Sequence, residues 1–173
     1  MKSIHLYIVV LGLLLQSPAI GQIQSVTLQA SGLTCSMCSR AIYKSLQKVP
    51  SVSKVQEDIE HSSYHIQFVD PGKVSLENLK KAVQDAGFSV AKMEVKANFN
   101  NAFVASDSSL KMSDFIFYFV DIPKQNLNGD KKLLILDKDF LLDKDRKKYG
   151  GDYSTMPSAN GNDRIFHVTI EKS

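Results

Sequence analysis

The spacing of apolar residues changes several times within residues 24–97, and this change restricts the fold more than any other feature of the sequence. Alternation over residues 26–30 predicts a half-buried strand. From about Met37 the apolar spacing becomes three and four residues, which predicts a helix that Pro50 ends. The residues assigned to the apolar face of this helix are Cys38, Ala41, Ile42, Leu46 and Val49.

Three more strands and a second helix are predicted in the same segment. Alternation indicates strands at about 55–59, 64–68 and 91–95. Ser75 is a suitable N-cap for the second helix, and Gly87 stands where a helix commonly ends. The resulting βαββαβ order predicts the ferredoxin-like arrangement, in which four strands form one antiparallel sheet and both helices pack on one face.

The rest of the chain has a different pattern, and the whole sequence therefore predicts an α+β protein with two domains. Residues 98–112 are rich in Asn, Ser and Asp and are interpreted as a linker. Residues 113–173 contain no convincing helix and predict a small β-rich domain, barrel- or sandwich-like. An Asn-Gly-Asp sequence at 128–130 predicts a hairpin turn, and the Gly residues of 149–163 a long loop. The predicted strands cover 115–120 (an apolar run typical of burial on both faces), 133–136 and 165–170.

The first twenty-one residues are typical of a secretory signal peptide. Lys2 is followed by a stretch of twelve mostly apolar residues at 4–15, and small residues precede a cleavage site before Gln22. At about 1.5 Å per residue this stretch spans roughly 18 Å, which is too short for a bilayer core of roughly 30 Å. We therefore expect residues 1–21 to be removed and the ferredoxin-like domain, residues 22–97, to be exported to a periplasmic or extracellular location.

Two cysteines stand at the predicted junction between the first strand and the first helix. Cys35 and Cys38 are separated by two residues, so both sulfurs can converge on one point. The N-terminus of a helix favours thiolates, and thiolates bind soft metal ions. Two sulfurs with an open shell suit Cu(I) or Hg(II), whereas Zn(II) prefers four ligands. The open shell also leaves room for the thiols of a partner protein.

The sequence GLTCSMC at residues 32–38 resembles the GMTCxxC loop of heavy-metal-associated domains. These domains occur in copper chaperones, in metal-transporting P-type ATPases and in periplasmic mercury-binding proteins, and the resemblance covers about residues 24–97. It implies that Cys35 and Cys38 are the metal ligands. It also implies that the ion is exchanged with a metal-donating or metal-accepting protein, such as the metal-binding domain of a transporter.

Matches and departures around this motif refine the choice of ion. Ala41 and Ile42 match the apolar helix positions of the family, and the pair at 87–88 matches a Gly-aromatic pair that lies near the metal loop. Leu33 replaces the usual Met, a swap of similar volume. Some zinc and cadmium members carry Asp where this chain has Thr34. We therefore expect Cu(I) first, Hg(II) second and Zn(II) third.

Two functions other than metal transfer are also compatible with an exported pair of cysteines. After export the two cysteines could form a local disulfide, which would leave a non-catalytic interaction module. A thioredoxin-like oxidoreductase also fits a CxxC motif, but this chain has no Trp and its motif comes early in the mature chain. No catalytic motif is evident, so the protein is not expected to be an enzyme. The net charge of +3 is too small to favour nucleic acid, and no later segment predicts a membrane anchor.

A few further residues could in principle hold metal. Met37 could be a third soft ligand, although we expect it to fill a gap or to remain exposed. His61 and His65 stand four residues apart and are expected to be solvated. His167 is predicted to lie at the surface, and the Asp residues of 137–143 are interpreted as a charged surface turn because they lack the glycine of a calcium loop.

Overall fold

The computed structural model describes residues 21–33, 36–150, 153, 156–157 and 164–171. The elements of the first half are β1 (Gly21–Ser31), α1 (Ser36–Gln47), β2 (Val52–Asp58), β3 (Ser63–Phe68), α2 (Leu76–Asp85) and β4 (Ser89–Val104). The elements of the second half are β5 (Ser109–Met112), β6 (Phe115–Phe119), β7 (Gln125–Ile135), α3 (Asp143–Arg146), β8 (Met156–Pro157) and β9 (Arg164–Ile170). Short 3-10 turns lie at Pro71–Lys73 and Lys147–Tyr149.

The first half has the ferredoxin-like arrangement that its sequence predicts. Its strands lie in the order β2–β3–β1–β4, and every neighbouring pair is antiparallel. α1 and α2 pack against each other and share one core with the sheet, because Leu46 of α1, Leu79 of α2 and Leu28 of β1 belong to the same buried cluster. The predicted order βαββαβ is therefore confirmed.

The second half extends the same sheet instead of forming a separate one. β4 pairs along its other edge with β7, and the order continues through β9 and β6 to β5, with β6 and β9 parallel. One buried cluster contains residues from both halves, including Ile23 and Phe166. A separate barrel- or sandwich-like domain over residues 113–173 is thus not confirmed. The structure instead adds strands to an edge that a lone ferredoxin-like sheet would leave open.

Residues 98–112 are largely strand, whereas the sequence predicted a linker. β4 runs on to Val104, and β5 occupies Ser109–Met112. Polar residues of this stretch alternate with the buried side chains of Phe99, Ala102 and Val104. Its polar composition therefore reflects one exposed strand face, not the absence of regular structure.

The Asn-Gly dipeptide that predicted a hairpin turn lies inside β7. Gly129 pairs with Phe99, and the register then shifts so that Ala102 pairs with Leu127. Gly129 has a φ of +68°, and the backbone N–H of Asn101 (φ +51°) donates to Asn128 Oδ1 at 2.9 Å. The prediction was wrong because a β-bulge requires the same left-handed backbone conformations as a tight turn.

A short stretch after β7 packs along the second half of the sheet. Its Leu141 lies on the face away from α1 and α2, whereas its Phe140 joins the main core, where its ring contacts that of Phe166 at a centroid distance of 5.4 Å. We call residues 138–150 the cover segment; it contains α3 and the turn Lys147–Tyr149, although no helix was predicted there. Leu141 of this segment packs with Leu134 and Leu136 in a second buried cluster.

One strand prediction is corrected by the structure, and two other predictions fall wholly or partly on residues that the structure does not describe. β6 buries Phe115, Phe117 and Phe119 but leaves the residues between them partly exposed, so it is buried on one face and not on both. Within the predicted loop 149–163, β8 and Tyr153 are described and the other residues beyond 150 are not. Residues 1–20 of the predicted signal peptide also lie outside the described residues. No described helix has the length and apolar character needed to cross a membrane.

Candidate metal centre

The loop between β1 and α1 places the first described part of the metal motif. Gly32 has a φ of +82°, a left-handed conformation that favours glycine, and an added Cβ would meet no atom within 4 Å. Leu33 is partly buried and packs against the main core. Thr34 and Cys35 lie outside the described residues, so the role of Cys35 as a ligand stays a prediction.

Cys38 lies in the first turn of α1 and is half-buried. The unpaired backbone N–H groups and the positive end of the helix dipole favour a negatively charged thiolate at this position. α1 contains no acidic residue, and Arg40 and Lys44 on the same helix are exposed. This arrangement favours the thiolate form of Cys38, which is the form of cysteine that binds soft cations.

Met37, between the two cysteines, has a residue exposure of 81%. Its side chain therefore extends into solvent, in agreement with the expectation that it fills a gap or remains exposed. A thioether held this way contributes exposed apolar surface beside the candidate metal ligands.

The buried face of α1 differs from the predicted face at three residues. Ser39 is 3% exposed and Ile42 is fully buried, whereas Ala41 is exposed and Cys38 is only half-buried. Ser39 follows the same helical spacing as Ile42, Leu46 and Val49, so the spacing itself indicated this face. The sequence reasoning missed it because a serine was not considered as a core residue.

Ser39 is buried against a tyrosine of β3. The Tyr64 hydroxyl donates to the Ser39 carbonyl oxygen at 3.1 Å and lies 3.0 Å from Ser39 Oγ. Tyr64 has no exposed surface, and its burial raises the pKa of the phenol above its usual value. No local pattern in the sequence indicates this contact, because Ser39 and Tyr64 lie 25 residues apart.

The predicted cap of α2 is confirmed by its geometry. Ser75 Oγ accepts the backbone N–H of Asn78 at 3.2 Å. Gly87 follows the helix with a φ of +89°, and Phe88 packs partly buried against the main core. The place of this Gly-aromatic pair near the metal loop stays a prediction.

A second buried polar contact joins the end of β7 to β9. Asp137 has no exposed surface; its Oδ2 accepts the backbone N–H of His167 at 2.8 Å, and its Oδ1 lies 2.9 Å from His167 Nδ1. The His167 ring contacts the rings of Tyr118 and Tyr153 at centroid distances of 5.6 and 4.9 Å. The predictions of a surface histidine and a surface Asp137 were wrong, because the rings of Tyr118 and Tyr153 cover the outward side of His167, and Asp137 is buried against it.

The other two histidines considered in the sequence do not share a site. His61 Nδ1 lies 2.9 Å from Asp58 Oδ2, whereas His65 Nδ1 lies 3.4 Å from Thr27 Oγ1. Among the residues that the structure describes, no group of three or more His, Cys, Asp or Glu side chains could hold a metal ion. The cysteine motif therefore remains the candidate metal centre.

Comparison with known proteins identifies the family of the chain. Residues 27–89 match the heavy-metal-associated domain family. The mercuric transport protein periplasmic component of Serratia marcescens is 39% identical over 72 residues, which cover 42% of this chain and 78% of the relative. The chain therefore belongs to the heavy-metal-associated domain family, and the resemblance noted in the sequence is confirmed.

Two further relatives extend this comparison. The copper chaperone CopZ of Bacillus subtilis is 35% identical over 66 residues, which cover 38% of this chain and 94% of CopZ. A solved structure of oxidized MerP from Ralstonia metallidurans CH34 is 41% identical, covers 39% of this chain and 96% of its own, and has a TM-score of 0.36. The names of the relatives include both cations placed first from the sequence, copper and mercury.

Proposed function

We propose that this protein captures or delivers a soft cation through the thiolates of Cys35 and Cys38. Cu(I) is the first choice, Hg(II) the second and Zn(II) the third. The observation that carries the proposal is the position of Cys38 in the first turn of α1, within a chain that belongs to the heavy-metal-associated domain family. The names of its relatives, a mercuric transport protein and a copper chaperone, support the choice of cation.

The proposed mechanism is a stepwise exchange of thiolate ligands. A first thiolate of the partner binds the cation, and one of the two cysteines dissociates. A second thiolate of the partner then binds, and the remaining cysteine dissociates. Two-sulfur coordination suits this exchange because it leaves the cation open to an incoming ligand, unlike a closed four-ligand site. No bond between non-metal atoms is made or broken, so we assign no enzymatic activity to the protein.

The proposed partner is a protein that donates or accepts the cation, such as the metal-binding domain of a transporter. The exposed face of α1 supports an acidic partner surface. Arg40, Lys44 and Lys48 are exposed, and within the described part of the chain none of them forms an ion pair. On α2, by contrast, lysines are paired with acids of the same helix, Lys80 with Glu77 at 2.6 Å and Lys81 with Asp85 at 2.7 Å.

We further propose that the protein acts outside the cytoplasm. The signal-peptide pattern of residues 1–21 and the periplasmic relative support export. Export exposes the cysteine pair to oxidation, so a disulfide-bearing interaction module is the alternative. A thioredoxin-like oxidoreductase is less well supported, because the motif stands on a ferredoxin-like βαββαβ unit.

A competition titration tests the proposal. Reduced protein comprising residues 22–173 would be titrated with Cu(I) against a chelator, next to the Cys35→Ser/Cys38→Ser variant. We expect tight one-to-one binding that the double variant loses. Met37→Leu is the matched control, since an exposed thioether is expected to leave the affinity unchanged. Equally weak binding by wild type and double variant would contradict the proposal, and repetition with Hg(II) and Zn(II) would rank the ions.

A further inference from the structure

Tyr64 places a polar group in the core directly beneath the first turn of α1. Its hydroxyl donates to the Ser39 carbonyl oxygen at 3.1 Å, and Ser39 Oγ, at 3.0 Å, can donate to the Tyr64 oxygen in return. Ser39 is the residue that follows Cys38, and both Ser39 and Tyr64 are buried. Two hydrogen bonds thus connect β3 to the turn that carries a proposed metal ligand.

Burying the Tyr64 hydroxyl costs desolvation free energy, which an apolar side chain at this position would not incur. A phenylalanine at position 64 would fill nearly the same volume without a buried polar group that needs a partner. Burial raises the pKa of the Tyr64 phenol, so the group stays protonated and remains a donor at neutral pH. Ser39 supplies the partner that satisfies the hydroxyl, through its backbone carbonyl oxygen and its Oγ.

We propose that Tyr64 is a positioning residue for Cys38, an inference that rests on the proposed function. Its bonds to Ser39 fix the first turn of α1 relative to the sheet, which sets the direction of the Cys38 side chain before a cation binds. A ligand that is already in place loses less conformational freedom on binding, so the affinity is higher. The hydroxyl acts in this way without contacting the cation.

The Tyr64→Phe variant removes the hydroxyl and keeps the ring. We expect its Cu(I) affinity, measured by chelator competition, to fall by about threefold to tenfold, the effect of losing one or two ordinary hydrogen bonds. Ser39→Ala removes only Oγ and keeps the bond from Tyr64 to the Ser39 carbonyl oxygen, so its effect should be smaller. Ser39→Ala also provides a test if Tyr64→Phe does not fold.

Tyr153→Phe is the matched control in the second half of the chain. It removes a hydroxyl that donates to a backbone carbonyl oxygen, that of Tyr149, at 2.9 Å. We expect it to lower the thermal unfolding temperature without changing the Cu(I) affinity. A Tyr64→Phe variant that behaves in the same way would show that its hydroxyl is only structural, and would overturn the inference.

A second readout needs no metal. In a Cys35→Ser background, the rate at which iodoacetamide modifies Cys38 reports the exposure and the thiolate character of that one side chain. We expect Tyr64→Phe to change this rate at least twofold and Tyr153→Phe to leave it unchanged; equal rates would overturn the inference. If the wild type binds Cu(I) no better than the double cysteine variant, the proposed function fails, and the alkylation rates alone then decide whether Tyr64 positions Cys38.

Discussion

The outer face of the sheet, which lies away from α1 and α2, is partly exposed in the first half and buried in the second. In the first half this face is polar and partly exposed, with Thr27 paired to His65 on one side and to Glu94 on the other. In the second half Leu141 of the cover segment packs over the same face on Leu136, and the rings of Tyr118 and Tyr153 flank the buried His167. A single sheet therefore has one core along its first half and two along its second.

The two buried polar contacts lie on opposite faces of the sheet. The contact of Tyr64 with Ser39 lies on the helix side, one residue from a proposed metal ligand. The contact of Asp137 with His167 lies on the outer side and joins β9 to the chain just before the cover segment. We therefore expect changes at the Asp137 contact to alter stability, and changes at the Tyr64 contact to alter the proposed metal site.

Removing the Asp137 carboxylate should have the largest effect on stability. Asp137→Ala leaves the buried backbone N–H and Nδ1 of His167 without their acceptor, which we expect to lower the free energy of unfolding by about 3 kcal/mol. Urea unfolding followed by circular dichroism measures this loss. Cu(I) affinity at a temperature where the variant is folded should remain that of the wild type.

Asp114→Ala is the control for that change. Asp114 is exposed and directly precedes β6, so its loss should change the free energy of unfolding by less than about 0.5 kcal/mol. The division between the two halves would be contradicted if Asp137→Ala weakened Cu(I) binding as strongly as it weakened the fold.

Loss of the α2 cap should have an intermediate effect on the first half. Ser75→Ala removes the acceptor of the Asn78 N–H and should lower the free energy of unfolding by about 1 kcal/mol. Ser53→Ala is the matched control, because Ser53 is exposed on β2, and it should have little effect. Equal unfolding midpoints in urea for the two variants would show that the cap does not stabilise this half.

The smallest predicted effect concerns the pH dependence of the open outer face. Burial, and secondly the positive charge of Lys96, lower the pKa of His65. The unfolded chain then binds more protons at this site than the folded chain, so stability falls as the pH drops through the ordinary histidine value of about 6.5 towards the lower pKa of the folded state.

His65→Gln should make this decline shallower. The test compares the free energy of unfolding of wild type and variant at about pH 7.5 and about pH 5.5, on either side of the ordinary histidine pKa. Because His65 is only partly buried, we expect a small difference in slope. A steeper decline in the variant would contradict the lowered pKa of His65.

The sequence predicted the first half well because its signals are local. Alternation, helical spacing and the cap at Ser75 each depend on residues within one element. The second half depended on contacts between distant segments. Nothing in the residues around Asp137 and His167 indicated that the two would be buried against each other, and the Asn-Gly dipeptide at Gly129 fits a bulge as well as a turn. The sequence predicted that Cys38 lies at the start of the first helix, and the structure places it there, but the contact between Ser39 and Tyr64 beneath that helix required the fold.

X-ray absorption at the copper edge of the Cu(I)-loaded protein tests the central claim most directly. The proposed site predicts two sulfur neighbours for each copper ion, with no contribution from imidazole nitrogen, and loss of bound copper in the Cys35→Ser/Cys38→Ser variant. Nitrogen neighbours, or copper that remains tightly bound in the double variant, would contradict the claim that the cysteine pair alone holds the cation.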